Sequence, residues 1–196
     1  MTETKTPTIL IVGYTQSGKS TAARLLAEHW GCEWMGTSSA IMNYLDQYCS
    51  GWAGGVLIDL KNKTPGVVQR MLRTFLRDVG NFIREQDPAA LVKRCLAHAN
   101  IVEGVRTVEE FEASKHLFDH IVWIDRPGVE RGITDELWES FVVKMVTNDG
   151  TEEQLLERLL AALKLKPKKR IPDDCPGMMG LAGFKNMEQE AAPGRD

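Results

Sequence analysis

The chain has 196 residues, enough for one domain with a real core, of which 43% are hydrophobic and 26% charged, with a formal charge of -3. That balance excludes a globally basic nucleic-acid coat while leaving room for a local basic patch. No apolar run approaches the roughly 20 residues that cross a bilayer, and the polar start MTETKTPT lacks an apolar signal core. The expectation is therefore a cytoplasmic protein with no membrane partner. Four cysteines (Cys32, Cys49, Cys95, Cys175) form no C-x-x-C pair and have no histidine at ligand spacing, which points to free thiols rather than to zinc or disulfides.

In chain order, residues 1–7 read as a flexible start. TILIVG, ending at Gly13, is continuously apolar and rich in Ile and Val, the pattern of a strand buried on both faces. Residues 18–30 follow as a helix, with Ala22, Ala23, Leu25, Leu26 and Trp30 near one face and Gly31 as its stop. CEWMGT is a short second strand. Residues 40–63 contain YCSGWAGG and read as a loop with a helical turn before it, because glycine costs about 1 kcal/mol per helical position. From Pro65, with Thr64 as cap, Val68, Met71, Leu72, Phe75, Leu76 and Val79 recur at helical spacing. A further short helix starts after Asp87-Pro88. NIVEGVR (100–106) and HIVWIDRP (120–127) are strands separated by a helix over 107–117, and FVVKMVTN is a more mixed strand. Thr151 and Gln154 then make a capping box for the last helix. Strands alternating with helices predict an α/β domain over 8–165, with a parallel sheet of about five strands covered on both faces. Residues 166–196 lose all periodicity and read as a disordered basic and Pro/Gly tail.

Residues 13–20, GYTQSGKS, match G-x-x-x-x-G-K-[ST] in full, between a buried-type strand and a helix start. Successive backbone N–H groups of Gly13, Tyr14, Thr15, Gln16, Ser17 and Gly18, with those of Lys19, Ser20 and Thr21, would cradle phosphate oxygens. Gly13 and Gly18 allow approaches that a Cβ blocks. Lys19 places a cation between the terminal phosphates, and Ser20 is the expected Mg²⁺ ligand. The positive end of the helix favours the same anion. This pattern predicts binding of ATP with Mg²⁺. A guanine-reading N-K-x-D is missing, since the nearest string is TNDG, and the chain is short for a motor. A small kinase is the leading class.

The ordered set IVEGVRTVEEFE, HIVWIDRP, ITDE and VTNDGTEEQLLERL, with RMLRTFLRDVGNFIREQDPAALV upstream, resembles the bacteriophage deoxynucleoside monophosphate kinases over about residues 8–163. It is similar also to the related phage P-loop kinases that phosphorylate 5-hydroxymethyluracil within DNA. The chain differs from the family in its short glycine-rich 40–63 region and its extra tail. The resemblance implies a P-loop kinase domain, in-line transfer of the ATP γ-phosphate, and a deoxynucleotide-type acceptor. That acceptor is either 5-hydroxymethyl-deoxyuridine in phage DNA, favoured by the open segment, short lid and basic tail, or a free deoxynucleoside monophosphate. A non-enzymatic ATP-binding regulator is the remote alternative.

Candidate roles follow. Glu103, at the ligand edge of its strand, either holds Mg²⁺ through water or takes the acceptor's proton, or else is a surface acid. Arg106 either neutralises the transferring phosphoryl group or forms a plain ion pair. Arg126, beside Asp125, either clamps ATP phosphates or stacks on adenine, or caps its strand. Arg131 lies in the short lid segment. Asn148, with Asp149 and Gly150, shapes the adenine side or simply caps a helix. Arg70, Arg73 and Arg77 share a helix face, with Arg84 further along, and suit an acceptor phosphate or a DNA backbone, or form a solvated face. Thr37, Ser38 and Ser39 touch the acceptor or cap a helix, and Asp87 is either an acceptor contact or a helix start. The run KLKPKKR (164–170) grips DNA or is a solvated tail. Trp34, Trp52 and Trp138 are candidates for stacking on a base; core packing is the default for Trp34, and Trp52, in the glycine-rich stretch, is the better candidate.

Overall fold

The computed structural model describes residues 6–48, 66–132, 136, 137, 142 and 144–164. Five strands form one sheet: β1 Ile9–Val12, β2 Trp34–Gly36, β3 Ile101–Glu103, β4 His120–Asp125 and β5 Lys144–Thr147. Every pairing is parallel, and the order across the sheet is β2-β3-β1-β4-β5. The helices are α1 Lys19–Trp30, α2 Thr37–Tyr48, α3 Val67–Gln86, α4 Ala90–Leu96, α5 Val108–Ser114 and α6 Glu152–Leu163, with a 3-10 turn at Lys115–Leu117. This is a parallel α/β fold in which the GYTQSGKS loop follows the central strand β1.

The central strand explains the layering. Successive side chains of a strand point to opposite faces. Ile9 and Ile11 pack with Ala22, Ala23 and Leu26 of α1 and Leu155 and Leu159 of α6. Leu10 and Val12 face the other way, into a layer with Leu72 and Leu76 of α3, Leu91 of α4 and Phe111 of α5. All four β1 residues are buried, so an uninterrupted apolar run is what this position requires. Gly31 ends α1 in the left-handed conformation at φ 63°, as expected of a helix stop. Thr151 and Gln154 form the reciprocal capping box that opens α6.

Some boundaries differ from the sequence reading. Residues 40–48, expected to be mostly loop, belong to α2. Ala40, Ile41 and Met42 are buried in the layer with α3, and the glycines begin only beyond the helix end. The 100–106 strand is confined to Ile101–Glu103, because Gly104 turns the chain away at φ 94°. The helix expected over 107–117 tightens to a 3-10 turn after Ser114. Thr64, Pro65, Trp52, Trp138 and most of the 164–170 basic run lie outside the described residues. No helix among the described residues is long and apolar enough to cross a membrane.

Cys95 is buried in the α3/α4 layer, and burial, with the charges of Glu110 and Glu103, pushes its thiol up to about 12. The thiolate is the reactive form. At pH 8, iodoacetamide should therefore label half-buried Cys32 well before Cys95 in the folded protein, read by peptide mass. Equal labelling of the two would contradict this packing.

Candidate active site

The GYTQSGKS loop leaves β1 and enters α1 at the carboxyl edge of the sheet. Gly13 sits at φ 146°, where a Cβ would lie 2.4 Å from the carbonyl oxygen of Ile124 and 2.8 Å from Ser17 Oγ. Gly18 sits at φ 97°, where a Cβ would lie 2.2 Å from Asn148 Nδ2. Both positions thus require glycine on conformation and on space. Between them the chain doubles back, with Ser17 N–H donating to the Tyr14 carbonyl at 3.1 Å and Gln16 in the left-handed region at φ 71°. Tyr14 stands edge-on to buried Trp123, ring centroids 5.0 Å apart, which fixes the first half of the loop on the sheet.

Lys19 is 8% exposed, and its Nζ donates to the Tyr14 carbonyl at 2.6 Å. The ammonium therefore already lies folded over the loop. No side chain caps the N-terminus of α1, and its first turn carries no acid. The amide donors and the positive helix end are left for an anion. Ser17 Oγ is buried without a hydrogen-bond partner beneath the same loop.

Two flanking strands complete the edge. From β3, Glu103 Oε1 accepts from Ser20 Oγ at 3.3 Å. That carboxylate reaches the serine across Gly36 of β2, where a Cβ would come within 2.6 Å of it. A hydroxyl and a carboxylate side by side are a hard oxygen donor set, suited to Mg²⁺ with retained waters. From the other side, Asn148 after β5 donates through Nδ2 to the Ser17 carbonyl at 2.8 Å, and its N–H donates to the Asp125 carbonyl at 2.6 Å. Sequence reasoning gave Asn148 a place near adenine and missed this brace. Its only signal was the Asn-Asp-Gly string.

The remaining candidates divide. Thr37 is 4% exposed and its hydroxyl donates to the Gly104 carbonyl at 2.9 Å, which ties α2 to the end of β3. Asp87 is likewise engaged locally, accepting from Ala89 N–H at 2.9 Å and Lys93 Nζ at 2.7 Å, and Lys93 holds its carboxyl below the usual range. Ser38 and Ser39 are half-buried in the first turn of α2. Arg70, Arg73 and Arg77 are exposed along α3, and Arg77 pairs with neighbouring Asp78 at 3.1 Å. Arg70 shares a surface hollow with Met71, Thr74, Phe75 and Asp78, and none of the phosphate-loop residues reaches it. Arg106 is half-buried after β3, and its carbonyl accepts from Glu136 N–H at 3.1 Å. Arg126 and Arg131 are exposed beyond β4. Asp149 is taken up by Arg158, which also donates to the Thr147 carbonyl at 2.7 Å.

Sequence reasoning also passed over Glu110. It is fully buried in α5, 3.1 Å from Arg84 Nε of α3, and burial raises its pKa against the pull of Arg84 and Arg106. The string Thr107-x-x-Glu110 was the available signal.

No protein-family model matches the chain, and no curated protein matches it. Solved structures do. They include an unliganded sugar kinase from Janibacter sp. HTCC2649, 16% identical, aligned over 83% of this chain and 96% of that one with a TM-score of 0.43. Shikimate kinase from Aquifex aeolicus VF5 is 15% identical over 80% and 95%, with a TM-score of 0.43. A Thermus thermophilus protein is 17% identical over 82% and 97%, with a TM-score of 0.40. The fold assignment itself stands on the strand order and the position of the phosphate loop.

The brace gives a direct test. Asn148→Ala removes one hydrogen bond to the loop, a net loss of about 1 kcal/mol, and should weaken ATP binding roughly fivefold in calorimetric titration with little change in Tm. Gly18→Ala, which forces a Cβ into Asn148 at an unfavourable φ, should abolish measurable binding.

Proposed function

We propose that this chain is an ATP-dependent phosphotransferase acting on a deoxynucleotide-type acceptor. The observation that carries the reading is the assembled carboxyl edge, where a glycine-cleared phosphate loop stands beside the Ser20–Glu103 oxygen pair. Phosphoryl transfer asks mainly for positioning and charge stabilisation. Bound Mg-ATP would supply the γ-phosphoryl group and a divalent charge. Residues 13–21 would orient the phosphates through their amides. Lys19 would exchange the Tyr14 carbonyl for phosphate oxygens. Glu103, with Ser20, would hold the metal's oxygen shell or accept the acceptor hydroxyl's proton. Arg106 and Arg126 stand at the ends of β3 and β4, the strands flanking β1, and would offset charge on the group in transfer.

For the acceptor, the proposal prefers the hydroxymethyl oxygen of 5-hydroxymethyl-deoxyuridine in DNA, giving 5-phosphomethyl-deoxyuridine and ADP. The support is the resemblance of the motif set to phage kinases, with the glycine-rich 51–55 region and the basic run at 164–170. Free deoxynucleoside monophosphates are the second reading, favoured by the exposed Arg70, Arg73 and Arg77 on α3, which suit any phosphate-bearing acceptor.

The deciding experiment offers γ-labelled ATP with hydroxymethyluracil-containing DNA and, separately, with free deoxynucleoside monophosphates. Label in DNA is the expected result. Label in monophosphates alone would replace the preferred acceptor with the second reading. Lys19→Ala should lower transfer at least about a hundredfold; a fully active Lys19→Ala would overturn the phosphate-loop mechanism.

A further inference from the structure

The phosphate side of the sheet and the acceptor-side helix α3 meet at one buried charge. Glu110 in α5 is fully buried, and Arg84 of α3 is 13% exposed with its Nε 3.1 Å from Glu110 Oε2. Arg106, like Arg84, favours the charged form of Glu110 against its burial. Arg106 belongs to the turn that leaves β3 directly after Glu103. Glu110 therefore meets α3 through its carboxylate on Arg84 and meets the turn that follows Glu103 through its N–H, 3.2 Å from Thr107 Oγ1.

Three features set this contact apart from ordinary core packing. Thr107 caps α5, accepting from Glu110 N–H at 3.2 Å, so Glu110 occupies the position from which a capping-box acid reaches back to the cap residue. The Gln154 equivalent in α6 does so, whereas the Glu110 side chain turns inward to Arg84. Next, neither Glu110 oxygen nor Arg84 Nε makes an aligned hydrogen bond despite burial. Apolar side chains of similar size commonly match or exceed the stability of a buried ion pair. Stability alone does not call for these charges. Finally, Arg70, Arg77 and Arg84 recur every seven residues, two helical turns, so Arg84 is the inner end of the exposed guanidinium row.

We propose that Glu110 is a positioning residue: through its carboxylate on Arg84 and its N–H on Thr107 it fixes the acceptor-side helix α3 against the turn that follows Glu103. The proposal rests on the phosphotransferase reading for its consequence in catalysis. Glu110 itself touches neither ATP nor acceptor.

The test compares Glu110→Gln with the double variant Glu110→Leu/Arg84→Met. Glu110→Gln leaves Arg84 buried without its counter-charge and should lower both Tm and labelled-phosphate transfer. The double variant should regain Tm and bind a fluorescent ATP analogue within about twofold of wild type, yet transfer roughly tenfold to a hundredfold more slowly, because the reacting groups are misplaced. Transfer that recovers together with Tm would reduce the pair to core packing and overturn the proposal. If the double variant does not fold, Arg84→Lys replaces it: reduced transfer at unchanged ATP affinity supports the proposal, and wild-type transfer overturns it. Should the wild-type protein label no acceptor, the phosphotransferase reading fails by itself. Hydrogen–deuterium exchange over residues 104–107 with ATP bound then decides for Glu110. Faster exchange in Glu110→Gln or the double variant supports the positioning role, and unchanged exchange overturns it.

Discussion

Several backbone N–H groups can converge on one anion only if the chain doubles back within a few residues, and the rest of this structure follows from that turn. Gly13 and Gly18 make it possible, but each depends on a neighbour that is remote in sequence. Gly13 lies against the carbonyl of Ile124 in β4, and Gly18 lies against Asn148 after β5. The order β2-β3-β1-β4-β5 brings both neighbours to the carboxyl edge beside β1. The same order places β3 on the opposite side, so that Glu103 meets Ser20. The loop and the sheet are thus one device, and neither glycine's clearance has meaning without the parallel order.

The Lys19 ammonium rests on the Tyr14 carbonyl. A hydrogen bond from a charged donor contributes about 1.5–3 kcal/mol net. A triphosphate offers several charged oxygens to the amides, the helix end and the same ammonium, so the exchange favours binding. The internal bond keeps a nearly buried cation satisfied until then. With no acid in the first turn of α1 and no side-chain cap, nothing in the helix itself competes with the incoming anion.

The fold was legible because its signals are local. The apolar run of β1, the stop at Gly31 and the Thr151–Gln154 box each need only neighbouring residues to be understood, and each appears where the sequence puts it. The tight turn of residues 13–20, with its two glycines, was legible for the same reason. What escaped was determined by distant contacts. Residues 40–48 read as loop because the glycines just beyond them dominated the window, whereas burial of Ala40, Ile41 and Met42 against α3 decides for helix. Asn148 as a brace and Glu110 as an anchor depend on partners 131 and 26 residues away, Ser17 and Arg84. Thr37 and Asp87 have the right chemistry for an acceptor, but Gly104 and Lys93 had already engaged them. Spacing along the chain cannot show such engagement.

The two faces of the sheet differ in a way that bears on specificity. The face covered by α1 and α6 is closed by apolar side chains, from Ile9 and Ile11 to Leu155 and Leu159, with Trp30, Cys32 and Trp34 packed against them. The other face, under α3, α4 and α5, buries Glu110 against Arg84 and holds Cys95 within the field of two carboxylates. Burying charge is costly unless position requires it. On the proposed reading, triphosphate binding would make no such demand, since the loop would achieve it with backbone amides and one lysine. The demand comes from bringing a second, mobile substrate to a fixed phosphoryl group, where an error of about 1 Å costs roughly a hundredfold in rate. If the chain is the proposed phosphotransferase, the charge is buried on the face that would place the acceptor, and the apolar face supports the side on which the loop lies.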